Sequence, residues 1–451
     1  MELQVLDVRA LVREALDDGR SPDMGALRAA PPHEVAEALS ELSPTELGSL
    51  FTRLGDEALA ELVAELDPFD AARLLGKLSR AQAADVLEEM DPDDAADVVD
   101  EFRPQVAEAI LEEMEHEEAR DVRDLLSYPP ESAAGLMTLD FVALNPDLTA
   151  DEALAQLRRV AEEAEQVYYV YVTEPGTNRL LGVLSLHRLA FARPWTPISE
   201  LMISDIAKVR AEADQEEAAR MLDQRHLIAL PVVDDQDRLL GIITADDAAD
   251  VLLEEAGEDI ERLGGSQPLE EPYMRASVLH LVRKRLPWLM VLLLGSAYTA
   301  SVISHFEDTL AEVIALSFFI PMLIGTGGNV GSQTVTTLVR AMAVDEVRFR
   351  DLFRVLRREL MVGGIIGVVL AGVTYLRAWM MGVGWEIGPV VGLAALLIVV
   401  WAAAVAAVLP LVLARLKVDP AVVSAPFITT LVDGTGLFFY FTIAQMLLGL
   451  D

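Results

Sequence analysis

The chain contains no cysteine. That excludes disulfides, thiolate metal sites and cysteine nucleophiles, and leaves oxygen and imidazole groups as the available ligands. Cationic side chains are scarce as well: 35 Lys and Arg stand against 73 Asp and Glu, a formal net charge of −38 over 451 residues. Phosphate backbones are bound by Lys and Arg, so nucleic acid is excluded as a partner. The deficit is uneven, because essentially the whole acid excess falls in residues 1–270 and the remainder is close to neutral. Two readings of the excess stay open at this level: cations as its counterpart, or a charged surface serving only solubility. The opening residues, MELQVLDVRALVREALDD, read as an amphipathic acidic helix, not as a basic-then-apolar leader.

What is present is periodic. Leu42-Ser43-Pro44, Leu66-Asp67-Pro68 and Met90-Asp91-Pro92 recur every 24 residues, with Met114-Glu115-His116 as a fourth copy. Apolar residues between these marks follow helical spacing, as in Ala84, Leu87 and Met90, so each unit reads as a short helix pair with Pro in a first turn. Residues 1–130 are therefore expected to form an acidic helical-repeat domain, an architecture that serves as an interaction or regulatory surface.

Past Tyr128-Pro129-Pro130 the period changes to β-rich segments, Val167–Val172 and Leu180–Ser185, separated from helical ones. The order then repeats as Ile206–Val209, a helix from Asp214, Leu230–Val233, a turn at Asp234–Asp237, and Leu239–Thr244. With the openings Gly135-Leu136-Met137-Thr138 and Ser199-Glu200-Leu201-Met202 and the turns at Gly182 and Gly241, this resembles a tandem pair of CBS domains, 131–198 and 199–252. The resemblance implies a dimerising ligand sensor that binds an adenine nucleotide such as ATP between the copies. Asp247, three residues after Thr244, matches the ribose-gripping Asp of that pattern. Arg188 follows Ser185 at the corresponding place in the first copy, and an Arg cannot accept hydroxyl hydrogen bonds.

Five apolar stretches follow, at about 286–304, 313–341, 360–376, 387–414 and 422–450, each near the length that crosses a bilayer. Basic residues gather at one side of them: Arg283-Lys284-Arg285 before the first, Arg340 to Arg358 between the second and third, and Arg415 and Lys417 after the fourth. This asymmetry places the acidic region in the cytoplasm and Asp451 outside. Within the spans one carboxylate stands out, Asp433 in Thr429-Thr430-Leu431-Val432-Asp433-Gly434-Thr435-Gly436. A charge in hydrocarbon is costly, so it is a functional candidate, with hydroxyls and carbonyls suited to a hydrated hard cation. The second span carries the Gly-rich run Gly325-Thr326-Gly327-Gly328-Asn329, followed by Ser332 and Gln333. Tight helix packing and a pore lining both account for it. An intramembrane enzyme finds no second acid, His or nucleophile beside Asp433, and an anion channel would be repelled by it. An exchanger coupled to H⁺ or Na⁺ stays open.

The order of acidic repeats, CBS pair, connecting helix and five spans, with Gly-Thr-Gly-Gly-Asn at 325–329 and Asp433-Gly434-Thr435-Gly436, resembles the MgtE magnesium channels over essentially the whole chain. The expected fold is multi-domain: a cytoplasmic all-α repeat domain, an α/β CBS pair, a connecting helix over 253–280 and a five-helix transmembrane domain over 281–451. The resemblance implies a homodimer in the plasma membrane with one pore at the two-fold axis, built from the second and fifth helices. Gly328, Asn329, Thr429 and Asp433 are its expected lining, with Mg²⁺ as the transported ion and Mn²⁺ or Co²⁺ as alternatives. It also implies regulatory Mg²⁺ sites that close the gate. Matching acids are Asp93 and Asp97 in the repeat domain, Asp214 and Glu216 in the second CBS copy, and Asp247 and Asp250 after it. Glu255, Glu258 and Asp259 in the connecting helix and Asp419 before the fifth span complete the set. Two positions depart from the family pattern, His226 for an Asp and Ala425 for an Asn.

Overall fold

The computed structural model describes residues 8–450 except 19, 161–168, 270–272, 275, 345 and 384. Val167 and Tyr168 of the expected strand, the first seven residues of the expected N-terminal helix, and Asp451 lie outside the described residues. The chain divides into two compact units, Met1–Leu253 and Glu254–Asp451.

In the first unit the sequence repeat becomes a stack of short helices. Pro44–Leu54, Pro68–Leu75 and Pro92–Asp100 each begin on the repeat's proline, where the missing N–H costs nothing because a first-turn amide has no intrahelical partner. Asp56–Ala64, Arg80–Glu88 and Pro104–Leu111 alternate with them. Ser43 with Glu46 and Ser79 with Gln82 form capping boxes that fix two of the starts. Leu47, Leu50, Leu59, Leu74, Leu75 and Leu87 are fully buried between the layers.

Two three-stranded sheets follow. β1 (Ala143–Leu144) pairs parallel with β2 (Tyr169–Thr173), which pairs antiparallel with β3 (Leu180–Ser185). β4 (Val209–Arg210), β5 (Ala229–Val233) and β6 (Leu239–Thr244) repeat that order, each sheet with a register shift near the end of its middle strand. The copies lock through their turns. The Leu180 amide donates to the Asp237 carbonyl and the Leu239 amide to the Asn178 carbonyl, both at 2.9 Å, with Asn178 and Asp237 in the left-handed region. Their openings are exchanged as well: Thr138 bridges to Ile242 of the second sheet, and Ile203 bridges to Val183 of the first. Gly241 and Gly182 permit this, since a Cβ on either would lie 2.7 Å from the sulfur of Met137 or Met202.

Among its described residues the second unit holds five helices long and apolar enough to cross a membrane: Val278–His305, Ile314–Ala343, Phe349–Met381, Ile387–Arg415 and Ala425–Leu448. The fourth is extensively buried, with Val390, Ala394, Ile398, Ala402 and Ala406 all enclosed. Gly363 and Gly367 let the third approach it, a Cβ at either meeting Ala403 or Leu396 within 2.9 Å. The third helix starts eleven residues before its apolar stretch, because the arginine-rich segment before it is itself helical. The helix Ala245–Leu263 ends at Gly264-Gly265, Gly265 adopting φ +78°.

Candidate functional site

The second and fifth spans meet face to face. Gly327, Gly328 and Gly331 form the contact on the second, and added Cβ atoms would lie 2.8 Å from Val432, 2.7 Å from Thr429 and 2.5 Å from Ile428 respectively. The Gly-rich run therefore does serve close packing. It also brings hydroxyls together: Thr429 Oγ1 lies 3.2 Å from Ser332 Oγ and donates to the Ala425 carbonyl at 3.0 Å. One turn further along, Asp433 is half-buried, and its Oδ1 is enclosed with no hydrogen-bond partner among the described residues. Of the four residues expected to line a path, the structure joins Gly328 to Thr429, stacks Asp433 above Thr429, and leaves Asn329 exposed on the outward side with Gln333.

One contributor was not legible in the sequence. Tyr298 and Thr299 of the first span pack on Gly434, where a Cβ would meet the Tyr298 ring at 2.5 Å and Thr299 Oγ1 at 3.1 Å. Thr299 Oγ1 is also buried, without a hydrogen-bond partner among the described residues. Thr299 is one of several hydroxyls in that span, with Ser296, Tyr298, Ser301 and Ser304, and nothing local singles it out.

A second site lies within the first unit, a cavity of about 410 Å³. Asp91, Asp93 and Asp94 enter it from the repeat domain, Thr138 and Asp140 from the exchanged opening, Tyr171 from β2, and Thr244, Asp246 and Asp247 from the second CBS copy. Burial pushes the Asp93 carboxyl well above the usual range, reinforced by Asp247 and Asp94, and Asp93 Oδ1 is buried without a hydrogen-bond partner among the described residues. Burial, then Asp247, raises Asp94 to about 7. Asp247 is raised by burial and partly offset by the hydroxyl of Thr244, which donates to it. Among the described residues no three acidic or imidazole groups converge closely enough to enclose an ion directly. The donor set of carboxylates and hydroxyls fits a hard cation held through its water shell, as Mg²⁺ is commonly held.

Three family models match the chain: an MgtE divalent cation transporter domain over residues 320–443, an MgtE intracellular N domain over 30–131, and CBS domains over 133–194 and 198–254. The magnesium transporter MgtE of Thermus thermophilus is 42% identical over 324 residues, 72% of each chain. The chain belongs to the MgtE family. MgtE of Bacillus subtilis is 34% identical, covering 71% of this chain and 70% of its own, and that of Enterococcus faecalis is 36% identical over 72% and 71%. Among solved structures, the soluble part of a magnesium transporter covers 56% of this chain and 100% of its own at 29% identity and TM-score 0.49. The cytosolic domain of the Mg²⁺ channel MgtE in complex with ATP covers 54% and 99% at 34% identity and TM-score 0.48.

As an MgtE family member the chain is a membrane transporter and not an enzyme, with an intracellular N domain and a CBS pair. The remaining acids that the family pattern picks out sit in varied surroundings. Asp97 and Asp250 are exposed, outside the cavity but adding to the charge felt by Asp94 and Asp247. Asp214 caps the helix Gln215–Gln224, and Glu216 pairs with Arg220. Glu255 and Asp259 are half-buried in the second unit. Arg262 bridges Glu258 at 2.5 Å and Asp419 at 3.0 Å, so a guanidinium occupies Asp419. His226 is exposed with φ +53°.

Proposed function

We propose that the chain is a homodimeric channel for Mg²⁺ uptake in the plasma (inner) membrane. Its N-terminal region faces the cytoplasm, its C-terminus lies outside, and its conduction path runs along the second and fifth spans. The observation that carries this reading is Asp433 Oδ1, enclosed in an apolar span without a hydrogen-bond partner among the described residues. An unpaired carboxylate at mid-membrane costs about 2.5–3.5 kcal/mol, which a hydrated cation beside it offsets. Thr429 and Ser332 supply neighbouring hydroxyls to the water shell. Asn329 and Gln333 are exposed on the second span, and amide side chains facing lipid need cover. A second copy, or water between two copies, supplies it.

Closure by cytosolic Mg²⁺ is assigned to the acidic cavity. Asp93, Asp94 and Asp247 repel one another, and a divalent ion relieves that repulsion by holding the repeat domain to the second CBS copy. Asp97, Asp214, Glu216, Asp250, Glu255, Glu258 and Asp259 are further regulatory candidates. ATP, if it enters the same cleft against Asp247, has to arrive with its cation, because the aspartates there repel a bare triphosphate.

Divalent-ion current through the full chain in a lipid bilayer tests the reading, with cytoplasmic Mg²⁺ stepped from micromolar to millimolar. Current that falls with cytoplasmic Mg²⁺, follows the ion's electrochemical gradient and is lost or unselective in Asp433→Ala supports both pore and gate. Normal selective conduction by Asp433→Ala sinks the pore assignment, and current indifferent to cytoplasmic Mg²⁺ sinks the gate.

A further inference from the structure

The helix Phe349–Met381 runs well past its apolar stretch at the intracellular end. Residues spaced at 100° along it that fall on one side include Arg354, Arg357, Arg358, Met361, Ile365, Val368 and Trp379, and all of them are exposed. The outward stripe therefore changes chemistry along its length, from arginine through aliphatic side chains to Trp379, 71% exposed at the far end. From Arg357 to Trp379 the helix rises about 33 Å. A bilayer's hydrocarbon is about 30 Å thick, and Trp favours the interface. With Trp379 at one interface, Arg357 stands at the phosphate level of the other.

The arginines are organised there. Asp351 Oδ1 accepts from Arg354 at 2.9 Å and Oδ2 lies 3.8 Å from Arg350, while the two arginine side chains stay 81% and 77% exposed. Asp351 is the sole carboxylate among residues 349–358, against Arg350, Arg354, Arg357 and Arg358. From the end of the fourth span, Arg415 lies over the Phe349 ring at 5.6 Å. Phe353 is 81% exposed one turn before Arg357, on the water side of the band.

We propose that this arginine band binds the phosphate of anionic phospholipid headgroups in the leaflet facing the intracellular N domain. The stripe's continuity with aliphatic side chains along the same face selects a lipid over a dissolved anion. Its net positive charge selects an anionic headgroup over a zwitterionic one, whose own amine already balances the phosphate.

The test uses the full chain in a neutral detergent. Phosphatidylglycerol, phosphatidylcholine or inorganic phosphate is added, and the melting temperature is followed together with the lipid retained in native mass spectrometry. Phosphatidylglycerol is expected to raise the melting temperature and remain bound, with phosphatidylcholine and phosphate inert. Arg354→Ala/Arg357→Ala should weaken retention about fivefold for each arginine removed. The single exposed change Arg357→Gln gives the same direction should the double variant fail to fold. Equal effects of phosphatidylcholine, a phosphate effect matching that of the lipid, or unchanged retention by Arg357→Gln would each overturn the proposal.

Discussion

Trp288 Nε1 donates a 2.9 Å hydrogen bond to Ser424 Oγ, joining the first span to the N-cap of the fifth, the helix that carries Asp433. Ser424 is fully buried and also accepts from the Phe427 amide. Gly265, just past the helix Ala245–Leu263, lies against the same indole, where a Cβ would come within 2.7 Å. Ser424→Ala removes the cap and leaves the indole N–H without its acceptor, a loss of about 1–3 kcal/mol. Thermal unfolding in detergent should show it. Trp288→Phe is expected to cost less, since the cap survives; equal or greater loss would place the effect in indole packing instead.

Gly328→Ala puts a methyl 2.7 Å from Thr429 Cγ2 and 3.1 Å from Oγ1. Overpacking of this kind costs about 1–3 kcal/mol and parts the two helices at the Ser332–Thr429 contact. Ion flux should drop along with stability. Gly325→Ala is the matched control, because among the described residues nothing lies within 4 Å of its Cβ position. Equal behaviour of the two variants would mean that the glycines act through backbone flexibility, not through close approach.

Much of this was legible because local chemistry repeats. The prolines at 44, 68 and 92 each open a helix, and Gly182 and Gly241 each sit under a methionine. What a linear reading missed is exchange and depth. Met137 lies in the first opening but packs on Gly241 of the second copy, and sequence adjacency gives no sign of that swap. The third helix continues through Arg350 to Arg358, where a hydropathy window stops but backbone hydrogen bonding does not. Asp433 was visible as a charge in an apolar run, whereas the approach of Thr299 depends on a crossing that only packing sets. The ion pair that places Arg262 on Asp419 joins residues 157 apart in the chain.

Arg262→Gln tests what that guanidinium does. Without it, Glu258 and Asp419 lose a shared countercharge, and in a chelator the variant should be destabilised. The cost is on the order of 1 kcal/mol or less, since both ion pairs are about a third exposed and screened by water. Added Mg²⁺ should then stabilise the variant more steeply than the wild type, having gained access to Asp419. Parallel Mg²⁺ titrations of the melting temperature would mean that the arginine contributes only an ion pair and does not compete with the cation.

The cavity carboxylates set a pH dependence whose sign follows from their direction of shift. Asp93, Asp94 and Asp247 all titrate higher in the folded chain than in an unfolded one, Asp94 at about 7. The folded state therefore holds more protons, and their stabilising effect is fully present below the ordinary Asp range near pH 4. It is lost as pH rises toward 7 and beyond. In a chelator, the full chain should be more stable at pH 5 than at pH 8, with Asp94 contributing on the order of 1–3 kcal/mol. Mg²⁺ replaces the protons as countercharge, so millimolar Mg²⁺ at pH 8 should restore most of the difference while doing little at pH 5. Asp94→Asn should flatten the chelator curve and weaken the Mg²⁺ effect together. Should the variant flatten the pH curve and leave the Mg²⁺ effect intact, the cavity titrates without holding the ion, and the sensor has to be sought among the carboxylates outside it.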